Sequence, residues 1–412
     1  MECCERPLDG SGGVFIPSST GVLDALAANP AGLASLSAPT VDLSLSAVFA
    51  RGSFSNSVNH DAPLQSAPGV MPYGAFGTPI GHSRFSFGLG FLPELTSDAD
   101  WRYVDAPGVG GATYGLQRQK SAILAASATA GLGIALGRYL ALGISEGAVY
   151  NSNTYDAPYI FQSQPVLKGL KTLLDLHTTG IGWNTSVGLV ASPSRTVRLN
   201  VAWKSRTVID TSGDASGNAA QQFAALGIPF RPDFHYSANI RTILPQSVIA
   251  GVLWRVDPRW LLAFQADWID WKNAFFTLPV ELSNGTNADI NGLLHSSSLN
   301  DSIPLDWKDQ VSLHAGFERL LTESVSVRGG FAHGNNPVPG STLSPLTAAI
   351  ISNQFSTGAG YRRGRARFDL GYAFDLRGHA GVQQSALLSG EYSNSAVGVG
   401  TQTLMLNTSF QF

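Results

Sequence analysis

The chain has 412 residues, 13% of them charged, with 45 glycines and a formal net charge of −3. So few charges cannot cover an ordinary soluble surface of this size, and without a basic excess nothing points to nucleic acid. Mean hydropathy is near zero, and no apolar run reaches the roughly 18 residues a membrane helix needs. Low charge, many glycines and no spanning helix fit a transmembrane β-barrel, which spreads its apolar residues over alternate positions.

The start, MECCERPLDG, lacks the basic n-region and apolar h-region of a signal peptide. It reads as a non-native leader, or as a start from which the signal has been removed. Cys3 and Cys4 are adjacent, which gives no disulfide framework. Residues 1–38 do not alternate and form one unit of leader and hatch. Within them STGVLDALAANPAGLASL predicts a short helix from Val22 to Ala28. Pro30 stops it, because the residue before a proline avoids the helical region. This segment either hangs in the periplasm or folds back into the lumen as a plug.

Residues 39–412 alternate. In VDLSLSAVF, Val41, Leu43, Leu45, Ala47 and Phe49 oppose Asp42, Ser44 and Ser46. Further strands are expected at 70–79, over RFSFGLGF (Phe85, Phe87, Leu89 and Phe91 on one face), and at 119–136, 138–150, 176–191, 195–210, 243–256, 259–272, 306–319, 323–334, 352–363, 365–376 and 399–412. That gives about fourteen, an even number, as bacterial outer-membrane barrels have. In RTVRLNVAWKS, KDQVSLHAGFE and RARFDLGYAFD the charges fall on one face, assigned to the lumen. A charge facing lipid at mid-bilayer would cost about 2–4 kcal/mol.

The spacers alternate between short and long. Short ones are IGHS, GR, SPS, VDPR, LLTE and RG; long ones cover about 51–69, 93–118, 151–175, 211–242, 273–305, 335–351 and 377–398. Tight periplasmic turns and long outer loops are the barrel pattern, and a soluble sandwich has no reason to sort its connections so. The terminal TLMLNTSFQF closes the barrel against the first strand, with Phe412 in the interfacial aromatic girdle.

NPAGLASL, from Asn29 to Leu36, resembles the hatch signature of the outer-membrane long-chain fatty-acid and hydrocarbon transporters, the FadL/TodX family. The stretches around DWKDQ and NNPVP and the terminal aromatic strand match that pattern, so the resemblance runs from Asn29 to Phe412. The departure is at the start, where MECCERPLDG replaces the usual mature N-terminus. The resemblance implies passive transport: a hydrophobic molecule lands in an outer groove, enters a lumen pocket, and leaves when the hatch changes, with a kinked third strand as a sideways exit. The hatch is placed at Asn29, Pro30, Ala31 and Gly32.

Site expectations follow. PVLKGLKTLLDLH, with Leu170 and Leu174 at helical spacing, and NAAQQFAALGIPF, with Phe223, Leu226 and Phe230, offer an apolar landing site in the outer loops, or simply cap the barrel. A fatty-acid head group needs a cation if it is buried. Lys308 is placed at the position matching a head-group lysine of the family, with Lys204 and Arg206 also facing inward; the alternative is a salt-bridge ladder with Asp267, Asp369 or Glu318. Gly88, Gly90 and Pro93 in FGLGFLP mark the strand-3 kink, or are small residues facing a crowded lumen. No nucleophile motif or metal-ligand spacing is found, so neither catalysis nor a cofactor is expected. The expected partners are a hydrophobic ligand, outer-membrane lipid and lipopolysaccharide, around a monomer. A general porin for small polar solutes and a structural or adhesion barrel are the rival readings.

Overall fold

The computed structural model describes residues 21–390 and 392–412, so the expectations for the leader, Cys3 and Cys4 lie outside the described residues. Strand 1 spans Thr40–Ser55, strand 2 Gly69–Pro79, strand 3 Phe85–Val104, strand 4 Leu116–Ala135, strand 5 Leu140–Ile160 and strand 6 Lys171–Ala191. Strands 7 to 10 are each interrupted once: Val197–Lys204 with Thr207–Asn218, Asp233–Leu244 with Ser247–Arg255, Trp260–Ile269 with Thr277–Ser283, and Leu299–Pro304 with Gln310–Leu320. Strands 11 and 12 are Val325–Gly334 and Asn353–Arg363. Strand 13 is Ala366–Asp375 with Gly378–Val382, and strand 14 is Ser395–Gln411.

These 14 strands pair antiparallel in chain order and close. Strand 1 pairs with strand 2 on one side and with strand 14 on the other, from Thr40 opposite Gln411 to Ser55 opposite Ala396. Closure leaves no free terminal strand; among the described residues the ladder between strands 2 and 3 runs only from Gly74 to Pro79.

Burial is inverted relative to a soluble protein. Leu43 is 60% exposed while its neighbour Asp42 is 7% exposed. Leu370 and Leu406 are likewise exposed beside the buried Asp369 and Asn407. The apolar face is therefore the outer one, available to hydrocarbon.

The strands run further outward than the alternation indicates. Strand 5 continues to Ile160 rather than ending at 150, strand 6 starts at Lys171 rather than 176, and Thr207–Asn218 and Asp233–Leu244 occupy much of the expected 211–242 loop. At about 3.3 Å per residue such strands outreach a bilayer, and above it no lipid demands one apolar face. The expected helix in PVLKGLKTLLDLH is absent: Leu174 lies in strand 6 and Leu170 in the turn before it.

A helix, Val22–Ala27, and a 3₁₀ segment, Pro30–Ser35, lie against the inner wall of strands 2 to 6. Val22, Leu23, Leu26 and Leu33 bury against Tyr73, Ala75 and Leu92. The wall accommodates this by omitting side chains. A methyl at Gly143 would sit 2.1 Å from the Pro30 carbonyl carbon, and one at Gly88 would sit 2.8 Å from Leu33.

Candidate functional site: the hatch clip, the strand-3 bulge and two cavities

The NPAG residues are a clip. The Asn29 side-chain oxygen accepts from the Ala31 N–H at 3.0 Å, capping the 3₁₀ turn. Its amide donates to the carbonyls of Leu189 (3.2 Å) and Val201 (3.3 Å), joining strands 6 and 7. Pro30 starts the turn without an N–H to satisfy, and Ala31 and Gly32 are buried with it. At the other end the Leu23 N–H donates to Asp42 at 3.0 Å.

Strand 3 changes phase above this clip. Pro93 faces Ala126 and Leu95 faces Ala125, so Glu94 is an extra residue, a β-bulge. Below it Ser86, Gly88 and Leu92 point inward; above it Leu95, Ala99, Trp101 and Tyr103 do. Strand 2 pairs with strand 3 only from Gly74–Phe91 to Pro79–Ser86, and the residues of strand 2 outward of Gly74 pair with strand 1 alone. The wall therefore lacks its ladder beside the bulge. Gly88 and Gly90 do not bend the strand: both sit in regular pairing, and their missing side chains make room for Leu33 and Leu26.

A cavity of about 80 Å³ adjoins the bulge. Ala27 and Ala28 of the hatch line it, with Leu92 to Leu95, Lys204, Leu244 and Trp271. Lys204 pairs here with Glu94, and Asn184 donates to the same carboxylate at 3.3 Å. Lys204 is thus inward-facing as expected, but its partner is the bulge residue and not Asp267, Asp369 or Glu318. Asp267 lies 3.2 Å from His314, and Glu318 and Asp369 hold the buried Arg328 at 2.7 Å each.

Arg206 does not face inward. The two-residue break after Lys204 shifts the alternation, so Thr207 and Ile209 are buried and Arg206 is exposed. Lys308 is also exposed. It lies in the interruption of strand 10, where Leu305 and Trp307 are the buried residues and Trp307 packs on Trp271 (5.2 Å) and Phe275 (4.9 Å). Lys308 is among the lining residues of neither apolar cavity.

A second cavity of about 80 Å³ lies under the outer loops. Leu170, Leu174 and Phe223 line it with Leu176, Phe234, Tyr236, Val280 and Leu282. Phe223 is on the helix Ala220–Leu226, which ends on Gly227 in the left-handed conformation (φ 64°). Phe230 packs edge-to-face on Phe223 at 5.8 Å, behind the lining, and Leu226 is exposed and lines nothing.

Charges border this cavity that the periodicity of the sequence does not reveal. Lys171 and Asp105 form an ion pair of 2.8 Å with both side chains fully buried. Lys171 also donates to the Ala106 carbonyl, and Asp105 accepts from Thr113 (2.7 Å) and the Tyr114 N–H (3.0 Å). Tyr114 donates to the Asn218 carbonyl at 2.9 Å, and burial pushes its hydroxyl up to about 12. Read as part of an apolar helix, Lys171 falls on the polar side; only the long-range pairing with residue 105 shows its place.

A larger polar cavity of about 810 Å³ opens at the short-turn end, lined by Arg195, Arg198, Arg255, Arg328 and Arg362 with Glu318 and Glu323. Among the described residues no group of His, Cys, Asp and Glu is arranged to hold a metal ion.

A closed barrel with an apolar exterior, a clip-held segment in its lumen and an apolar cavity under its outer loops defines an outer-membrane β-barrel with a partly filled lumen. The chain belongs to the family of outer membrane protein transport proteins (OMPP1/FadL/TodX), whose family model matches residues 11–410. It is a protein of the bacterial outer membrane. It is similar in fold to a Pseudomonas aeruginosa FadL homologue (TM-score 0.78, 16% identity, covering 100% of this chain and 99% of that one). It is also similar to the Ralstonia pickettii toluene transporter TbuX (TM-score 0.74, 17% identity, 100% and 99%). A third similar structure is the Pseudomonas putida toluene transporter TodX (TM-score 0.76, 16% identity, 100% and 99%). No curated protein matches the chain.

Proposed function

We propose that this barrel passes hydrophobic molecules, long-chain fatty acids or related hydrocarbons, from the outer loops to a sideways exit, with no energy source of its own. The observation that carries the reading is the Glu94 bulge beside the end of the strand 2–strand 3 ladder, next to a cavity that the hatch residues Ala27 and Ala28 help line. Cargo enters the outer cavity at Leu174 and Phe223, reaches the bulge cavity, and leaves through the unpaired wall. Residues 21–36 block the straight route. Two of the similar structures are toluene transporters, which supports a hydrocarbon-sized cargo. The protein acts as a monomer among lipid and lipopolysaccharide and catalyses nothing.

The test pairs binding with uptake. Purified barrel is titrated with a fluorescent apolar probe in competition with oleate, toluene and an alkane; cells or proteoliposomes then report uptake by wild type and by a variant lacking Glu94 and carrying Lys204→Met. Saturable binding retained in the variant with uptake lost supports a lateral exit. Unchanged uptake refutes it. A general porin would instead show steady, large ion conductance.

A further inference from the structure

Among the described residues Lys171 is the only cation lining the outer apolar cavity, and it is already occupied. Its ammonium is 2.8 Å from Asp105, both side chains are fully buried, and it donates a further hydrogen bond to the Ala106 carbonyl. The geometry points to Asp105 as a resident carboxylate that occupies the place a cargo carboxylate would need, restricting the cavity to uncharged molecules. This rests on the outer cavity being a cargo site, as proposed above.

Three observations support it. First, a carboxylate entering an apolar cavity loses its water and must find a cation or several donors. The one cation is engaged. Second, the remaining charge at the cavity, Asp301, is itself an anion. Its oxygens accept from neutral donors, the Tyr159 hydroxyl (2.5 Å), the Gln162, Ser163 and Gln164 N–H groups and the Ser163 hydroxyl, and so add negative potential next to the cavity. An anionic cargo meets repulsion there; a neutral one does not. Third, Asp105 is held in place independently of Lys171, by Thr113 and the Tyr114 N–H. The segment from Asp105 to Gly115 is also tied across the cavity rim, because Gln222 accepts from the Lys171 N–H (2.8 Å) and donates to the Val109 carbonyl (2.8 Å). The carboxylate is therefore delivered to Lys171 by a fixed loop.

The experiment compares dodecanoate with methyl dodecanoate, each displacing N-phenyl-1-naphthylamine from the purified full chain in detergent. In wild type the ester binds at least 100-fold more tightly than the acid. In Asp105→Asn the ammonium loses its counter-charge and that ratio falls at least tenfold. In Asp105→Asn with Lys171→Met the ratio returns to the wild-type range, because the cation is gone. Heat-modifiable gel migration checks folding, and Asp105→Ser replaces Asp105→Asn if the latter does not fold. Equal binding of acid and ester by wild type overturns the inference while leaving the cargo site intact. So does a gain of acid binding that persists without Lys171. Failure of the ester to displace the probe refutes the cargo site itself.

Discussion

Gly188 faces Asn29 so closely that a methyl group on Gly188 would lie 1.9 Å from the Asn29 side-chain oxygen. That oxygen caps the turn that holds the hatch, and its amide partner bonds strands 6 and 7. Gly188→Ala is expected to dislodge the clip while leaving the barrel closed, since position 188 lies in regular pairing with Gly143. Single-channel recording in planar bilayers should show long open events in the variant and little conductance in wild type.

The Lys204–Glu94 pair is partly shielded, with Glu94 the more buried partner. Removing one member strands the other in a poor dielectric. Lys204→Met should destabilise the barrel by about 1–3 kcal/mol, less than for a fully buried pair because Lys204 still reaches water. Replacing both with Leu and Met should recover most of the loss. Urea unfolding in lipid vesicles, run as a double-mutant cycle, measures it.

Lys308→Ala should leave apolar-ligand binding within about twofold, because its side chain is exposed and lines neither apolar cavity. Trp307→Ala, one residue away, removes a buried ring stacked on Phe275 and should cost about 3–5 kcal/mol. The contrast is read from ligand titration and unfolding of the two variants side by side.

Tyr114 supplies a pH dependence outside the membrane. Its folded-state value is raised to about 12, mainly by burial, from a reference of 10.0. The folded loop therefore holds the proton more tightly than the unfolded one. Its stabilisation is complete below pH 10 and is lost as pH rises through 12. Amide exchange at residues 105–115 should accelerate over that window in wild type, and Tyr114→Phe should remove this contribution.

The barrel, its strand number and its in–out sorting are legible in the sequence because lipid enforces a period of two on every membrane-crossing strand. VDLSLSAVF and RARFDLGYAFD show it directly. The hatch helix, expected from Val22 to Ala28 and found over Val22–Ala27, is legible because Pro30 ends it locally. What escapes is set by distant contacts. Arg206 looks inward until the break after Lys204 shifts the count by a residue. Gly88 and Gly90 look like a kink because nothing local says that Leu33 and Leu26 will fill the space above them. Lys171 and Asp105 are 66 positions apart, and neither carries a local mark of its partner.

The interruptions of strands 7 to 10 lie level with one another. Lys204 faces Ser247 below the break and Thr207 faces Leu244 above it; Ile269 faces Gln310 below and Thr277 faces Pro304 above. This crease divides that side of the molecule into a lower deck that faces lipid and an upper deck held by its own ladders and by strand 6. The register passes unchanged across the break between strands 7 and 8 and shifts by two residues between strands 9 and 10, so the two decks continue as one wall on one side and are offset on the other.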